Sequence, residues 1–96
     1  MAKTKALDLA GWRCTQTETD PKGGIRRLTQ ATLAKRLGIN PQHLCRIESG
    51  ERWPGDLTLD QYFHVTQIRG PAWPRLLRAQ LRTWRAYSPD RKGRTP

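Results

Sequence analysis

The sequence predicts an all-α fold of five short helices, and three observations predict it. Apolar residues recur at helical spacing in five separate stretches. Capping residues open several of these stretches (Thr29, Asn40-Pro41, Thr58) and glycines close them (Gly38, Gly50, Gly70). No segment carries the alternation of a convincing strand.

Leu7, Leu9, Ala10 and Trp12 predict a first helix from Lys5 to about Cys14 that buries one face. The stretch from Thr15 to Gly24, TQTETDPKGG, has no apolar residue and reads as a loop. Thr29 caps a second helix, Gln30 to Leu37, which turns Leu33, Ala34 and Leu37 inward and stops at Gly38. Asn40 and Pro41 open a third, since a first turn has no use for the N–H that proline lacks. It runs to about Ser49 and ends at Gly50. After a turn-rich segment containing Pro54-Gly55-Asp56, Thr58 and Gln61 fit a capping box. The fourth helix then carries Leu59, Tyr62, Phe63, Val65 and Ile68 and closes at Gly70. Pro71 to Tyr87 supports a final amphipathic helix, and SPDRKGRTP from Ser88 onward reads as a disordered basic tail. The expected organisation is a domain over residues 5–70 with an insertion at about 15–27, an amphipathic helix over 71–87 and a tail over 88–96.

Ninety-six residues of which 35% are hydrophobic suit one small domain with a modest core. Eighteen Lys and Arg oppose eight Asp and Glu, a formal charge of +10, and thirteen of the cations are Arg. That excess calls for a polyanionic partner, nucleic acid first and an anionic membrane surface second. No apolar run approaches the roughly 18–20 residues that span a bilayer, and no signal-peptide hydrophobic region follows Met1–Lys5. Cys14 and Cys45 form no CxxC pair and there are only two histidines, so no familiar zinc site, no metal and no cofactor is expected. The simplest reading is two reduced thiols in a cytoplasmic protein. Neither His43 nor His64 has an evident nucleophile or carboxylate partner in sequence, so no enzyme is expected.

Two helices joined across Gly38-Ile39-Asn40 make a helix-turn-helix unit. The residues go further: Leu28-Thr29-Gln30, Leu33-Ala34, Gly38, Leu44, Ile47-Glu48-Ser49-Gly50, Arg52, Pro54 and Thr58-Leu59 resemble the lambda-repressor/Cro-like helix-turn-helix family in identity and spacing. The resemblance covers about Leu7 to Ile68. It implies a five-helix lambda-repressor-like domain with a central helix-turn-helix that binds double-stranded DNA.

The third helix agrees with that reading. At about 100° per residue, Gln42, Cys45, Arg46 and Ser49 share one arc while Leu44 and Ile47 lie opposite. One face packs inward and the other is laid out for a major groove, where Gln suits adenine and Arg suits guanine. Solvated helix polars are the plain alternative. The family correspondence assigns base reading to Pro41, Gln42 and Arg46, with Cys45 alongside; Pro41 departs from the hydrogen-bonding residue usual there and offers apolar contact alone. His43 lies between the faces, able to reach a phosphate or to flank the core.

Thr29 and Gln30 stand at a helix N-terminus, where free N–H groups and the dipole favour a phosphate. The resemblance gives them, and Ser49 with the Arg52 loop, contacts to the DNA backbone. It also pairs Glu48 with Arg13, a buried ion pair that orients the recognition helix. Trp53 reads as a hydrophobic plug or a stacking platform. The insertion ending in Arg26-Arg27 departs from the family spacing, and either adds phosphate contacts or is a surface loop.

In the last helix Arg75, Arg78, Arg82 and Arg85 form a stripe, opposite Trp73, Leu76, Leu77, Leu81, Trp84 and Tyr87. Trp73, Leu77, Leu81 and Trp84 are the candidate homodimer interface; the alternative is that this face caps the monomer's core. The expected function is a sequence-specific double-stranded-DNA-binding transcriptional regulator, a repressor on an inverted-repeat operator, bacterial or phage- or plasmid-encoded and cytoplasmic. The alternative is an antitoxin-like autoregulator that also binds a partner protein. A basic helix lying on a membrane surface ranks below both.

Overall fold

The first helix begins where Asp8 can cap it. In the computed structural model, which describes residues 7–96, Asp8 Oδ1 accepts from Gly11 N–H at 2.8 Å and α1 runs Leu9–Thr15. The start expected at Lys5 lies outside the described residues, while Leu7 and Asp8 precede the helix.

The segment read as a loop is a hairpin. β1 (Thr17–Thr19) pairs antiparallel with β2 (Ile25–Arg27), Glu18 opposite Arg26. Asp20 makes the turn: its N–H donates to Gly24 O at 2.6 Å, its carbonyl accepts from Gly23 N–H, and its carboxylate accepts from Lys22 N–H. Neither strand carries an alternating apolar face, because this ribbon packs no core side of its own. Pattern reading had nothing to find there.

α2 (Gln30–Leu37) and α3 (Pro41–Ser49) form the helix-turn-helix. Gly38 takes the left-handed conformation at φ +73, and its N–H and that of Ile39 close on Lys35 O and Ala34 O. Asn40 Oδ1 then accepts from Gln42 N–H at 2.8 Å to start α3. Leu33, Ala34 and Leu37 meet Leu44 and Ile47 in a core completed by Leu9, Leu28, Tyr62 and Leu76. Each fully buried leucine contributes about 1.5–3 kcal/mol.

α4 (Asp56–Thr66) starts three residues earlier than the capping box predicted. Gly55 is the cap, Asp56 meets the positive dipole end, and Thr58 lies inside the helix, half-buried. It also ends before Gly70, at Gln67, whose φ of +53 turns the chain.

α5 (Ala72–Tyr87) turns a different face inward than its apolar pattern suggests. Leu76, Ala79 and Gln80 are buried, whereas Trp73, Leu77, Leu81 and Trp84 are half-buried and Tyr87 is exposed. Gln80 explains the rotation. Its Oε1 accepts from Leu9 N–H at 3.0 Å and its Nε2 donates to Ile47 O at 2.8 Å, serving an open donor at the start of α1 and a carbonyl near the end of α3. Thr83 Oγ1 adds a bond to Asp8 Oδ2 at 2.6 Å.

Part of the segment after α5 has local structure. Pro89–Arg91 form a 3-10 turn that brings Arg91 back onto α5, within the segment 88–96 that the sequence predicts to be a disordered tail. No helix among the described residues is long and apolar enough to cross a membrane.

Candidate nucleic-acid interface

α3 separates its residues by face. Pro41, Gln42, Cys45, Arg46 and Ser49 are exposed; Leu44, Ile47 and Glu48 are buried; His43 is half-buried. Arg46 keeps its guanidinium in solvent, with Nε 3.8 Å from Glu51 Oε2 and both side chains about half exposed. A pair that loose contributes little and leaves Arg46 available. Ser49 Oγ donates to Arg46 O at 3.0 Å, so its hydroxyl proton is engaged within the helix. Cys45 and Cys14 are free, exposed thiols.

Glu48 is the buried anchor of this helix. Arg13 Nε donates to both of its oxygens, at 3.1 and 2.8 Å, and Arg13 Nη1 donates to Leu28 O at 2.9 Å. The hydrogen bond to Glu48 raises the Arg13 pKa above its ordinary value. Gln30 Nε2 supplies a further bond to Glu48 Oε1 at 2.8 Å. Gln30 from α2, expected at the DNA backbone, thus joins the expected pair of Arg13 from α1 and Glu48 from α3 at one carboxylate. Beside them Tyr62 is fully buried and its hydroxyl has no partner among the described residues. Burial holds its pKa above the usual phenol value.

The N-terminus of α2 is capped from two directions. Thr29 Oγ1 accepts from Thr32 N–H at 3.2 Å. In a capping box a Glu three residues on would reach back to the Thr29 N–H, but Thr32 stands there. The hairpin supplies the acid instead: Glu18 Oε2 accepts from Thr29 N–H at 3.0 Å, and Oε1 accepts from Thr32 Oγ1, Arg26 Nε and Arg26 Nη2. The Thr29 N–H, followed by Arg26, lowers the Glu18 pKa to about 2. Arg26 is therefore engaged, while Arg27, on the opposite face of the ribbon, makes no side-chain bond among the described residues. Arg52 is exposed in the loop after α3.

The candidate dimer residues are divided. Trp73 packs edge-on against Phe63 at 5.3 Å, and Trp84 lies under the Arg91 guanidinium at 4.5 Å. Leu77 and Leu81 line a hollow of about 290 Å³ with Trp53, Arg78 and Pro96. Among the described residues no group of three or more His, Cys, Asp or Glu is placed to hold a metal ion.

Sequence reading missed Glu18, Gln80 and Arg91. Glu18 was legible only through its register opposite Arg26, once a hairpin around Asp20-Pro21-Lys22-Gly23 is allowed. Gln80 was legible as the single neutral amide between Leu76 and Leu81.

A family model described as helix-turn-helix matches residues 25–73. That span, half of the chain, runs from β2 through the beginning of α5. It leaves out α1, with Arg13, and β1, with Glu18. No curated protein and no solved structure gave a significant match.

Proposed function

The chain belongs to the lambda-repressor/Cro-like helix-turn-helix family of DNA-binding transcriptional regulators, and we propose from that premise that it is a sequence-specific repressor reading its operator with α3. The observation that carries this is the sorting of α3: Gln42, Cys45 and Arg46 outward, with Glu48 held inside by Arg13 and Gln30. A recognition helix needs such rigid seating, because base-edge hydrogen bonds reward only side chains already placed. Pro41 contributes apolar contact. Thr29, Gln30, His43, Ser49, Arg52 and, from the ribbon, Arg27 are the proposed backbone contacts, while Arg26 is held by Glu18.

Selection of bound duplexes from a random pool tests this. Gln42→Ala and Arg46→Ala are each expected to lose about 1–3 kcal/mol of discrimination at single base pairs. Arg27→Ala, a change at a side chain that makes no bond among the described residues, weakens all sequences alike. A pool that yields no preferred sequence overturns the reading.

We further propose a homodimer on an inverted repeat, built on the apolar side of α5. The hollow beside Leu77, Leu81 and Trp53 favours an occupant there. A strict monomer by sedimentation at micromolar concentration, with and without DNA, would remove the dimer. The same hollow supports the second reading, an antitoxin-like autoregulator whose partner protein covers it. Stoichiometric co-purification with a small protein, abolished by Leu77→Asp, distinguishes that reading.

A further inference from the structure

The last basic segment reads in sequence as a source of phosphate contacts, yet its central arginine is turned inward. Arg91 Nη1 donates to Gly50 O at 2.7 Å and to Trp84 O at 3.2 Å, and Nη2 donates to Glu51 O at 3.0 Å. The guanidinium also lies 4.5 Å from the Trp84 ring centre and 5.4 Å from that of Tyr87. Arg85 Nε holds the strand of chain beyond it through Arg94 O at 2.7 Å.

Two of the three carbonyls gathered by this one planar cation belong to the residues that immediately follow α3. Gly50 is the left-handed cap of that helix, and Glu51 leads into the Arg52 loop. The carbonyl end of a helix is the negative end of its dipole, and a guanidinium with several donors in fixed geometry satisfies carbonyls that would otherwise be open. The segment held this way feeds back on the DNA-facing side. Arg52 N–H donates to Arg46 O at 3.2 Å, and the Glu51 carboxylate stands 3.8 Å from Arg46 Nε.

We propose that Arg91 is a positioning residue for sequence readout, and that residues 88–96 are the strap that brings it to the end of α3. It fixes the Gly50–Arg52 segment and with it the presentation of Arg46, while touching no base itself. Three of its five N–H donors and its stacking face are already committed to the protein, which argues against a direct phosphate contact. The inference rests on α3 as the reading helix.

The test uses the full chain, Arg91→Ala and Arg91→Lys, the preferred duplex from a random pool, and a random-sequence duplex of equal length. Binding is measured well below the unfolding temperature of each variant. Lysine keeps the charge but not the fork or the stack, so both variants should behave alike. Affinity for the preferred duplex is expected to fall about tenfold and that for the random duplex less than about twofold. The salt slope should stay unchanged, and the Arg52 amide should exchange hydrogen faster. Equal losses on both duplexes with a slope reduced by about 0.9 would instead make Arg91 a phosphate contact. Full retention of the preference in both variants would sink the strap while leaving α3 as the reader. Loss of all sequence preference in the parent chain would sink the reading of α3 itself.

Discussion

A Cβ placed on Gly50 would stand 2.5 Å from the Thr83 carbonyl oxygen, closer than side chains approach backbone in folded proteins. The recognition helix therefore ends in direct backbone contact with α5, at a residue whose φ of +91 already favours glycine. Gly50→Ala is expected to destabilise the protein by about 2–4 kcal/mol, from left-handed strain plus overpacking. Gly38→Ala supplies the control: φ is +73, but nothing lies within 4 Å of the added carbon. It should cost about 1–2 kcal/mol. Equal losses in urea titrations would show that the approach to Thr83 is not what requires glycine.

The Arg13–Glu48 pair predicts a larger effect than its single ion pair suggests. Glu48 is 4% exposed at the side chain and Arg13 15%. Removing the arginine strands a carboxylate that keeps Gln30 as its one donor among the described residues. Arg13→Ala should cost about 3–5 kcal/mol, with a fall of roughly 4–8 °C in Tm for each kcal/mol. The double variant Arg13→Met, Glu48→Leu should recover much of that stability while losing DNA affinity. A cost below about 1 kcal/mol for the single change would equate the pair with an exposed one.

These two sites differ in how far the sequence announced them. The helix-turn-helix was legible because its signals are local: a Thr cap, a Gly stop, an Asn-Pro start and apolar residues at helical spacing. Arg13 with Glu48 was legible only by resemblance, since 35 residues separate partners that nothing local connects. The hairpin, the rotation of α5 and the docked tail were not legible in hydrophobic periodicity. Each is decided by polar side chains, Glu18, Gln80 and Arg91, that satisfy backbone groups far away in sequence. Hydrophobic periodicity carries no information about such bonds, and α5 shows the consequence. Its most apolar face points partly to solvent because Gln80 claims the inward position.

Glu18 gives the protein an acid-sensitive joint. Its pKa falls from 4.5 to about 2 on folding, so the native state binds fewer protons than the unfolded chain in that interval. The stability it contributes is complete above pH 4.5 and drains as pH falls towards about 2. Glu18→Gln should flatten the pH dependence of Tm within that window and lower stability at pH 7, where the Thr29 N–H and Arg26 lose their anion. An unchanged acid limb would mean that another carboxylate dominates it.

Tyr62 presents the opposite case, a buried polar atom without a partner among the described residues. Tyr62→Phe removes the desolvated hydroxyl while keeping the ring that packs at 0% exposure. Stability should hold or rise by about 1 kcal/mol. A drop of that size in thermal unfolding would show that the hydroxyl is hydrogen-bonded in solution.

The hairpin converts a pair of adjacent arginines into two different tools. Arg26 shares a ribbon face with Glu18 and is bound to it at 2.8 Å, whereas Arg27 pairs across the ladder with Thr17 on the other face and is exposed. Neutralising a phosphate requires an uncompensated charge, which Arg27 has and Arg26 lacks. Arg27→Ala should therefore reduce the salt slope of DNA binding by about 0.9, the release expected for one phosphate contact. Arg26→Ala should leave the slope closer to that of the parent and lower affinity at all salt concentrations. It bares the Glu18 carboxylate beside the N-terminus of α2, where the DNA backbone is proposed to lie. Identical slopes for the parent and Arg27→Ala would take the ribbon out of the interface and leave Glu18 as the cap of α2 alone.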